Sequence, residues 1–487
     1  MKKIFFTSSI ILIFLLVSLM LVLSTIGFET DRFNKFISNK VTENNKDTSL
    51  KLEKIKFKFD IKDINLFLET NNPELIYKGS KIPVDNVKAY LDFISLVKSN
   101  PKIDKINISS KEINIDQLKK IIIKTKPSNL NSLITNKIKN GKLVINLELY
   151  FNDNFDIDNF IARGEVQEMS GVINNDLSLV NTSFNFFADS SDILIKNIKG
   201  EMDGLLIRKG NLQIKRNEEI TLNSDFDTEI KINNENIFNY LPYIKNIEFM
   251  NKETNLKANL QNFLNITFDK TFKVTDYTYT NKGKIDKSFF KFDKPFKNSL
   301  LEKDLNHLYF KDTNFTARFA LDKKNYIHTS GSYSFDDRNY HNYNFKNDFF
   351  KENSNINLDF EFAEKLNINF INYIKENDKV AKISLNVQKK QNLINLKELS
   401  YNENKNLISI EKLIIDKKDL ISLKKIKVKT FEKNKLMNDF ILDFGEKIEI
   451  SGDKYDAKNL NKFLNQKSKN NTLKKINKNI EIDIKNI

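Results

Sequence analysis

The 487-residue chain contains no cysteine and no tryptophan, and it has only 12 glycines, 6 prolines and 3 histidines. Without cysteine, the chain can form neither a disulfide framework nor a thiolate-ligated metal site. The histidines, His307, His328 and His341, lack metal-ligand spacing, so we expect them to have surface or packing roles. With so few glycines, turns must rely on asparagine and aspartate, which tolerate the left-handed backbone region.

Motifs for enzymatic chemistry are also missing from the sequence. It contains no phosphate-binding P-loop, no dinucleotide fingerprint and no nucleophile elbow. Asp322, Asp336 and Asp337 raise the possibility of a calcium-binding turn, but a solvated turn is the more common use of such residues. We therefore expect no catalytic residues, no metal ligands and no cofactor.

The charge balance is basic, with 79 Lys and Arg against 64 Asp and Glu and a formal net charge of +15. A basic surface can bind nucleic acid or anionic lipid. Here nearly all basic residues are lysines, and lysine, asparagine, isoleucine and phenylalanine are enriched together, which favours the compositional bias of an AT-rich genome over a selected basic surface. Nucleic-acid-binding proteins prefer arginine and defined modules, so we expect no nucleic-acid partner.

One apolar run, residues 4–27 (IFFTSSIILIFLLVSLMLVLSTIG), contains no charged residue. As a helix it would be about 36 Å long, enough to cross a hydrocarbon core of roughly 30 Å. Lys2 and Lys3 precede the run, so the positive-inside rule places the N-terminus in the cytoplasm and the body outside it. A cleaved signal peptide is the alternative, but its apolar region is usually shorter, and 24–27 is a poor cleavage site. The sequence favours an uncleaved anchor.

Beyond the anchor, apolar residues spaced three and four apart predict helices, and strict alternation predicts strands. Alternating segments at 55–61 and 64–68 predict a strand pair, and 103–115 predicts two short strands. Short alternating segments then recur from residue 141 at spacings of roughly 10–17 residues, which is typical of a meandering antiparallel sheet. Helices are expected at 33–42, 84–99, 116–124, 130–138, 236–246 and 456–464.

Two polar stretches interrupt this pattern. Residues 345–355 are expected to be a loose segment, and 467–475 a linker that leads into a last strand at 480–487. Because a terminal strand would present an unpaired edge, we expect the chain to be the N-terminal part of a longer product. The expected domains are an anchor (1–28), an α+β membrane-proximal module (29–140), two groove segments (141–260 and 261–466), and the linker with a further strand (467–487).

The predicted fold is mainly β: a transmembrane helix followed by a long antiparallel sheet, curled like a groove, with a few short amphipathic helices. Such a sheet must cover its apolar face, either in an ordinary sandwich core or a barrel, or by curling into a trough for acyl chains. Each buried methylene contributes about 0.8 kcal/mol, so a sixteen-carbon chain gains roughly 13 kcal/mol. The candidate groove-lining residues are Leu143, Ile145, Leu147, Leu149, Ile193, Ile195, Leu358, Phe360, Phe362, Ile383, Leu385 and Val387.

The N-terminal order is a membrane helix, a strand pair, the expected helix VDNVKAYLDFISLVKS and the strands of KIDKINISSKEINI. GKLVINLELYF, ARGEVQEMSGVI and IKGEMDGLLIRKGNLQI follow, and ISGDKYDAKNLNKFL lies near the end. These segments resemble the AsmA-like superfamily of bridge-like proteins in diderm cell envelopes, the family of AsmA, TamB and YhdP. The scarcity of glycine is a departure from the family's usual turns.

This resemblance implies an apolar β-groove that one helix anchors in the inner membrane, with the body in the periplasm. It implies a part in phospholipid transport between the inner and outer membranes and in outer-membrane homeostasis, without catalysis. The expected partners are phospholipid acyl chains, the inner membrane and further outer-membrane or envelope proteins. The alternative is an anchored periplasmic scaffold for outer-membrane protein assembly. An anchored hydrolase would need a polar pocket that the sequence does not indicate.

Overall fold

The computed structural model of the protein describes residues 2–32, 34–44, 46–62, 65–91, 102–152, 156–172, 178–202, 205–232, 250–377, 379–416, 419–459 and 478–487. The fold is mainly β, with 68% of residues in strands and 11% in helices, which confirms the predicted class. Two compact units are formed, the first by Met1–Asp203, Ile207–Ser224 and Asp269–Phe272, the second by Gly204–Leu206, Asp225–Phe268 and Lys273–Ile487.

Four α-helices lie in the described part of the chain: α1 (Lys2–Thr25), α2 (Asn34–Asn44), α3 (Ile115–Ile122) and α4 (Asn129–Lys137). They confirm the four helices expected at 4–27, 33–42, 116–124 and 130–138. Helix α3 begins with a capping box: the Gln117 backbone N–H donates to the Asn114 side-chain oxygen at 2.9 Å, and the Asn114 backbone N–H donates to the Gln117 side-chain oxygen at 3.3 Å.

The strands up to residue 232 are β1 (Phe28–Thr30), β2 (Thr48–Lys51), β3 (Ile55–Asp60), β4 (Asn65–Asn71), β5 (Glu74–Tyr77), β6 (Ser80–Ile82), β7 (Val84–Leu91), β8 (Ile103–Ser110), β9 (Ile113–Asn114), β10 (Ile138–Phe151), β11 (Ile157–Val172), β12 (Ser178–Ala188), β13 (Asp192–Met202), β14 (Leu205–Arg216) and β15 (Ile220–Ile232). The paired strands β3 and β4 and the short strands β8 and β9 confirm the strands expected at 55–68 and 103–115.

The later strands are β16 (Met250–Phe268), β17 (Val274–Phe296), β18 (Leu305–Ala320), β19 (Asn325–Ser334), β20 (His341–Phe350), β21 (Asn353–Phe362), β22 (Leu366–Ile368), β23 (Tyr373–Lys375), β24 (Ala381–Lys390), β25 (Leu393–Glu403), β26 (Asn406–Asp416), β27 (Asp419–Ser422), β28 (Lys425–Glu432), β29 (Lys435–Phe444), β30 (Ile448–Lys454) and β31 (Ile480–Ile484). A single 3-10 turn, Asn369–Ile371, separates β22 from β23.

The helix predicted at 84–99 is wrong over its first half, where the chain forms strand β7. Val84, Val87 and Leu91 have helical spacing, whereas Val87, Ala89 and Leu91 alternate, so the segment satisfies both periods. Strands β4 and β8 flank it and pair with it on both sides, and this lateral pairing decides the conformation. The rest of the predicted helix lies outside the described residues. Part of the resemblance to the AsmA-like superfamily was based on a helix at 84–99, and strand β7 departs from that expectation.

The loose segment predicted at 345–355 is also wrong, because strands β20 and β21 form a hairpin there. Their turn contains Lys351, whose φ of 53° is left-handed. Phe345 and Phe349 alternate with lysine and aspartate side chains that point to the polar face, so a mostly polar composition concealed a strand pattern.

Three remaining predictions concern segments that lie wholly or partly outside the described residues. The helix expected at 236–246 and the linker at 467–475 lie outside the described residues. Of the helix expected at 456–464, residues 456–459 are not helical and the others are not described. The terminal strand is confirmed as β31, which pairs in parallel with β30.

The sheet of the first unit has antiparallel pairs in the order β1, β3, β4, β7, β8, β10, β11, β12, β13. Strands β2, β5 and β6 form a separate small sheet. One row of directly opposed residues crosses seven of the neighbouring strands and is apolar throughout: Phe28, Phe57, Leu68, Ala89, Ile106, Leu149 and Phe160. The register therefore assembles one apolar face from strands that are distant in sequence.

The second unit repeats this principle in antiparallel strands β16 to β21, β24 to β26 and β28 to β30, with β31 added in parallel. A row of directly opposed residues runs across all of these strands: Leu260, Gly283, Phe315, Thr329, Phe345, Leu358, Leu385, Leu399, Ile410, Ile426, Leu442, Ile450 and Ile482.

The left-handed turn positions confirm the expectation that asparagine and aspartate replace glycine. Among the described residues, 16 residues other than glycine have a positive φ, and nine of these are Asn or Asp. Some, such as Asn181 and Asp312, lie inside strands at breaks in the register, where an extra residue forms a β-bulge.

Candidate functional site

The candidate site in the first unit is the apolar face of β10 to β13. Leu143, Ile145, Leu147 and Leu149 alternate along β10 and therefore share one face. Leu147 lies opposite Ala162 of β11, Ala162 lies opposite Ala188 of β12, and Ala188 lies opposite Ile193 of β13. Ile195 lies two residues beyond Ile193 on the same face. All six predicted groove residues of this unit are half-buried: Leu143, Ile145, Leu147, Leu149, Ile193 and Ile195.

The opposite face of this sheet carries ion pairs. Lys58 of β3 lies 2.7 Å from Glu69 of β4, and Arg163 of β11 lies 3.5 Å from Glu148 of β10. Partial burial raises the pKa of Glu69, but hydrogen bonds from Lys58 and Asn86 and the charges of Lys58 and Lys88 outweigh it and hold the pKa below its ordinary value.

This face also holds aromatic side chains. Phe67 and Tyr90 lie on the same side as Glu69, are both buried, and stack at a centroid distance of 5.3 Å. Ion pairs, and not the absence of apolar groups, therefore distinguish this face from the apolar row through Phe57.

The candidate site in the second unit is the face shared by β21 and β24. Leu358 lies opposite Leu385, and Phe360 lies opposite Ile383. Phe362 and Val387 occupy the two ends of the same face, opposite Ala381 and Ile356. The structure therefore places the six remaining predicted groove residues together in this unit: Leu358, Phe360, Phe362, Ile383, Leu385 and Val387.

A short segment of the same unit covers one end of this face. We call Leu366–Lys375, which comprises β22, the 3-10 turn and β23, the cap. Its Ile371 and Tyr373 are buried in a cluster with Ala381, Tyr401, Val428, Phe440 and Tyr455, and Ile383 packs against this cluster. Phe362 is buried as well, with the Lys375 ammonium 5.6 Å from its ring centre. Leu358, Leu385 and Val387 remain half-buried, so the cap leaves this part of the face accessible.

Buried polar groups fasten the cap to the sheet. Asn438 of β29 has no exposed surface, and its amide nitrogen donates to the Ile371 carbonyl and to the Thr430 hydroxyl, both at 2.8 Å. Its amide oxygen accepts from the Asp456 backbone at 2.9 Å. Lys375 is also fully buried and donates to the carbonyls of residues 363, 364 and 376. Sequence reasoning missed these residues because such side chains are usually exposed.

A second buried polar group lies beside the cap. The Tyr373 hydroxyl lies 2.9 Å from the Glu403 carboxylate and 2.8 Å from the Tyr401 hydroxyl. Burial raises the pKa of Tyr401 to about 12, and burial together with Tyr401 and Glu403 raises the pKa of Tyr373 as well. Both phenols are therefore neutral at neutral pH and act as hydrogen-bonding groups that hold the cap.

Polar residues also interrupt the apolar face near β16 and β17. Asn262 and Asn281 lie directly opposite each other at positions where alternation would place apolar residues. Asn281 donates to the Asn262 oxygen at 2.6 Å, Tyr279 donates to the same oxygen at 2.7 Å, and Asn262 donates to the Thr228 hydroxyl at 2.9 Å. Among the described residues the buried Asn281 amide oxygen has no hydrogen-bond partner, so this polar interruption of the face costs about 1–3 kcal/mol.

The aspartates considered for calcium binding serve as turn and ion-pair residues. Partial burial raises the pKa of Asp336, but hydrogen bonds from the Asn339 and Arg338 backbones and from the Ser334 and Asn339 side chains outweigh it and hold the pKa at about 2. Asp337 lies 2.9 Å from Lys287, and Asp322 lies 3.5 Å from a lysine. Within the described residues, no group of three or more histidines, aspartates or glutamates is placed to hold a metal ion.

The three histidines lie among aromatic and acidic side chains. The His328 ring nitrogen is 3.0 Å from the Asp348 carboxylate, and its ring stacks on Tyr326 at a centroid distance of 4.7 Å. His307 and His341 lie near tyrosine rings, at centroid distances of 6.0 and 6.4 Å. Packing and surface contacts account for each position.

The remaining feature of functional interest is α1. In the described part of the chain, one helix, Phe6–Thr25, is long and apolar enough to cross a membrane. The sheet faces and this helix are the features from which a function can be inferred. Comparisons with protein-family models, curated proteins and solved structures found no match to this chain.

Proposed function

We propose that the protein is anchored in the inner membrane by α1 and that its periplasmic body binds phospholipid acyl chains along apolar, groove-like sheet faces. In this role it takes part in phospholipid transport between the inner and outer membranes and in outer-membrane homeostasis. The observation that carries the proposal is the half-burial of in-register apolar side chains on one face of each unit's sheet.

The cap provides an internal comparison that supports this proposal. Beneath the cap, Ala381, Val428 and Phe440 are fully buried, as residues of a closed core should be. Leu358 and Leu385, on the same face but away from the cap, keep part of their surface accessible. A second sheet packed over this face would bury both groups equally. A bound acyl chain could therefore bury the apolar surface that remains accessible, and this burial contributes about 25 cal/mol per Å².

The anchor supplies the remaining element of the proposal. Helix α1 has no charged residue between Phe6 and Thr25, and Lys2 and Lys3 lie at its N-terminal end, which favours a cytoplasmic N-terminus and a periplasmic body. Tethering keeps an apolar face close to a bilayer. An acyl chain can then leave the membrane without exposing its full length to water.

Site-specific photo-cross-linking of the full-length protein in cells tests the proposal. A photoreactive amino acid replaces Leu147, which lies on the apolar face, or its neighbour Asn146, which points to the opposite, exposed face. The proposal predicts phospholipid adducts at residue 147 and few at residue 146. Equal labelling, or no lipid at either position, would contradict it. Adducts with outer-membrane assembly proteins and not with lipid would favour the scaffold alternative.

A further inference from the structure

The junction between α1 and the first unit is short and well defined. The backbone nitrogens of Ile26 and Gly27 both donate to the Val22 carbonyl at 3.0 Å, which ends the helix. Gly27 has a left-handed φ of 74°, and strand β1 begins at the next residue. Only Ile26 and Gly27 therefore separate α1 from the sheet. Helix α1 also contacts strand β3 directly.

Gly27 is required at this junction for two reasons. A side chain is strained at its positive φ. A Cβ atom at this position would also lie 2.8 Å from the Phe57 carbonyl oxygen and 2.9 Å from the Lys58 side chain. Because the glycine fits closely against β3, the end of the helix and the edge of the sheet are held together.

The strand register shows which end of the sheet lies beside the helix. Strand β1 pairs with β3 in antiparallel fashion, with Phe28 opposite Phe57. Residues that follow Phe57 therefore run back toward α1, and the turn after β3 lies on the helix side. Ile61 in this turn is 59% exposed, and Ile26 and Phe28 at the junction are 70% and 64% exposed. Lys62 lies next to Ile61.

We propose that Ile26, Phe28 and Ile61 form a docking edge that inserts into the lipid headgroup and acyl boundary of the membrane that α1 spans. This inference rests on the anchor of the proposed function. The bilayer is the occupant because a helix crossing it ends at its surface, and only two residues lie between the end of α1 and Phe28. Large apolar side chains are favourable at that boundary, and Lys62 can contact phosphate groups there.

The docking edge also defines where the apolar face begins. Phe28 is the first member of the row that continues through Phe57, Leu68, Ala89 and Ile106. With Phe28 in the headgroup region, this row starts at the bilayer itself. An acyl chain can then move from the membrane onto the sheet at β1 without crossing a gap of water.

The absence of cysteine from the chain allows a direct test with single labels. Full-length Ile61→Cys and Glu53→Cys proteins carry an environment-sensitive fluorophore and are reconstituted in phosphatidylethanolamine–phosphatidylglycerol vesicles. Glu53 is exposed and lies at the opposite end of β3, about 20 Å away for a six-residue strand. Nitroxide lipids should quench the label at residue 61 severalfold more than the label at residue 53. Equal quenching at the two positions would overturn the docking edge.

A second variant tests the coupling between helix and sheet. Insertion of Gly-Ser between Gly27 and Phe28 should leave the protein in the membrane but reduce the quenching at residue 61. The same insertion after Gly445, in an exposed turn, is the control and should change nothing. Unchanged quenching in the first variant would overturn the coupling. If carbonate extracts the unmodified protein from membranes, the anchor itself fails. Transport is tested separately, by lipid adducts at Leu147.

Discussion

Asn438 joins three parts of the second unit beneath the cap, and its replacement provides the sharpest test of how the cap is held. Its amide contacts Ile371 in the cap, Thr430 in β28 and Asp456 after β30. Asn438→Leu keeps a side chain of similar size but removes both donors and the acceptor. The Ile371 carbonyl and the Asp456 amide would then be left without these partners.

The expected cost follows from the hydrogen bond that joins β29 to the cap. A typical intramolecular hydrogen bond contributes about 1 kcal/mol net, and a buried group left unsatisfied costs about 1–3 kcal/mol. Of the three bonds to Asn438, the one to the Ile371 carbonyl reaches the cap, so its loss should weaken the closed cap by about 2 kcal/mol. Since about 1.4 kcal/mol corresponds to a factor of ten, cap opening should become roughly thirtyfold more frequent.

Amide hydrogen exchange of peptides covering 366–375 measures this local opening without assuming that the whole chain unfolds in one step. Asn402→Leu is the matched control, because Asn402 is exposed and donates only to the neighbouring Ser400 hydroxyl at 2.8 Å. It should change cap exchange by less than about threefold. Tyr373→Phe removes one hydroxyl and should have an intermediate effect, about tenfold. Wild-type exchange rates in Asn438→Leu would refute the reasoning and show that apolar contacts alone hold the cap.

Three further predictions concern the sheet and one turn. Leu385→Asp places a carboxylate in the apolar row and should strongly reduce co-purified phospholipid measured by mass spectrometry, whereas Asn386→Asp on the opposite face should not. Gly283→Ala brings a methyl group against the backbone of β16 and should lower the free energy of unfolding by about 1–3 kcal/mol, measured from urea unfolding midpoints. Gly445→Ala is the control, because the nearest atom to its added methyl group is 3.8 Å away. Because the pKa of Asp336 is about 2, below its ordinary 3.8, its stabilisation of the 335–340 turn is complete above pH 3.8 and is lost as pH falls toward 2. Amide hydrogen exchange in this turn, corrected for intrinsic rates, should rise as the pH falls from 3.8 toward 2. Asp336→Asn should show no such rise.

Much of the local structure could be predicted from periodicity. The alternation at 143–149 correctly indicated a strand with one apolar face, since successive side chains of a strand point to opposite sides. The apolar spacing at 116–124 likewise indicated α3. Such signals lie within about ten residues of sequence, so no knowledge of distant neighbours is needed to interpret them.

Predictions failed where contacts with segments distant in sequence determine the local conformation or the burial of a side chain. Residues 84–91 satisfy both helical and strand spacing, and the flanking strands β4 and β8 resolve the ambiguity. The cap has no distinctive sequence signal, because its apolar residues resemble those of any short strand. Lys375 and Glu403 would be assigned to the surface by composition, yet both are buried, with hydrogen-bonding partners that come from other segments.

The sequence by itself determined the apolar helix, the mainly β class and which side chains of each strand share a face. These properties depend on local composition and on the two-residue period of a strand. Only the tertiary structure decided which faces are open, because exposure depends on what lies above a sheet. It packs the returning segment Leu366–Lys375 against Phe362, which is buried, and leaves Leu358 and Leu385 half-buried. It also joins Phe28 directly to the end of α1, through a close fit at Gly27 that no periodicity records.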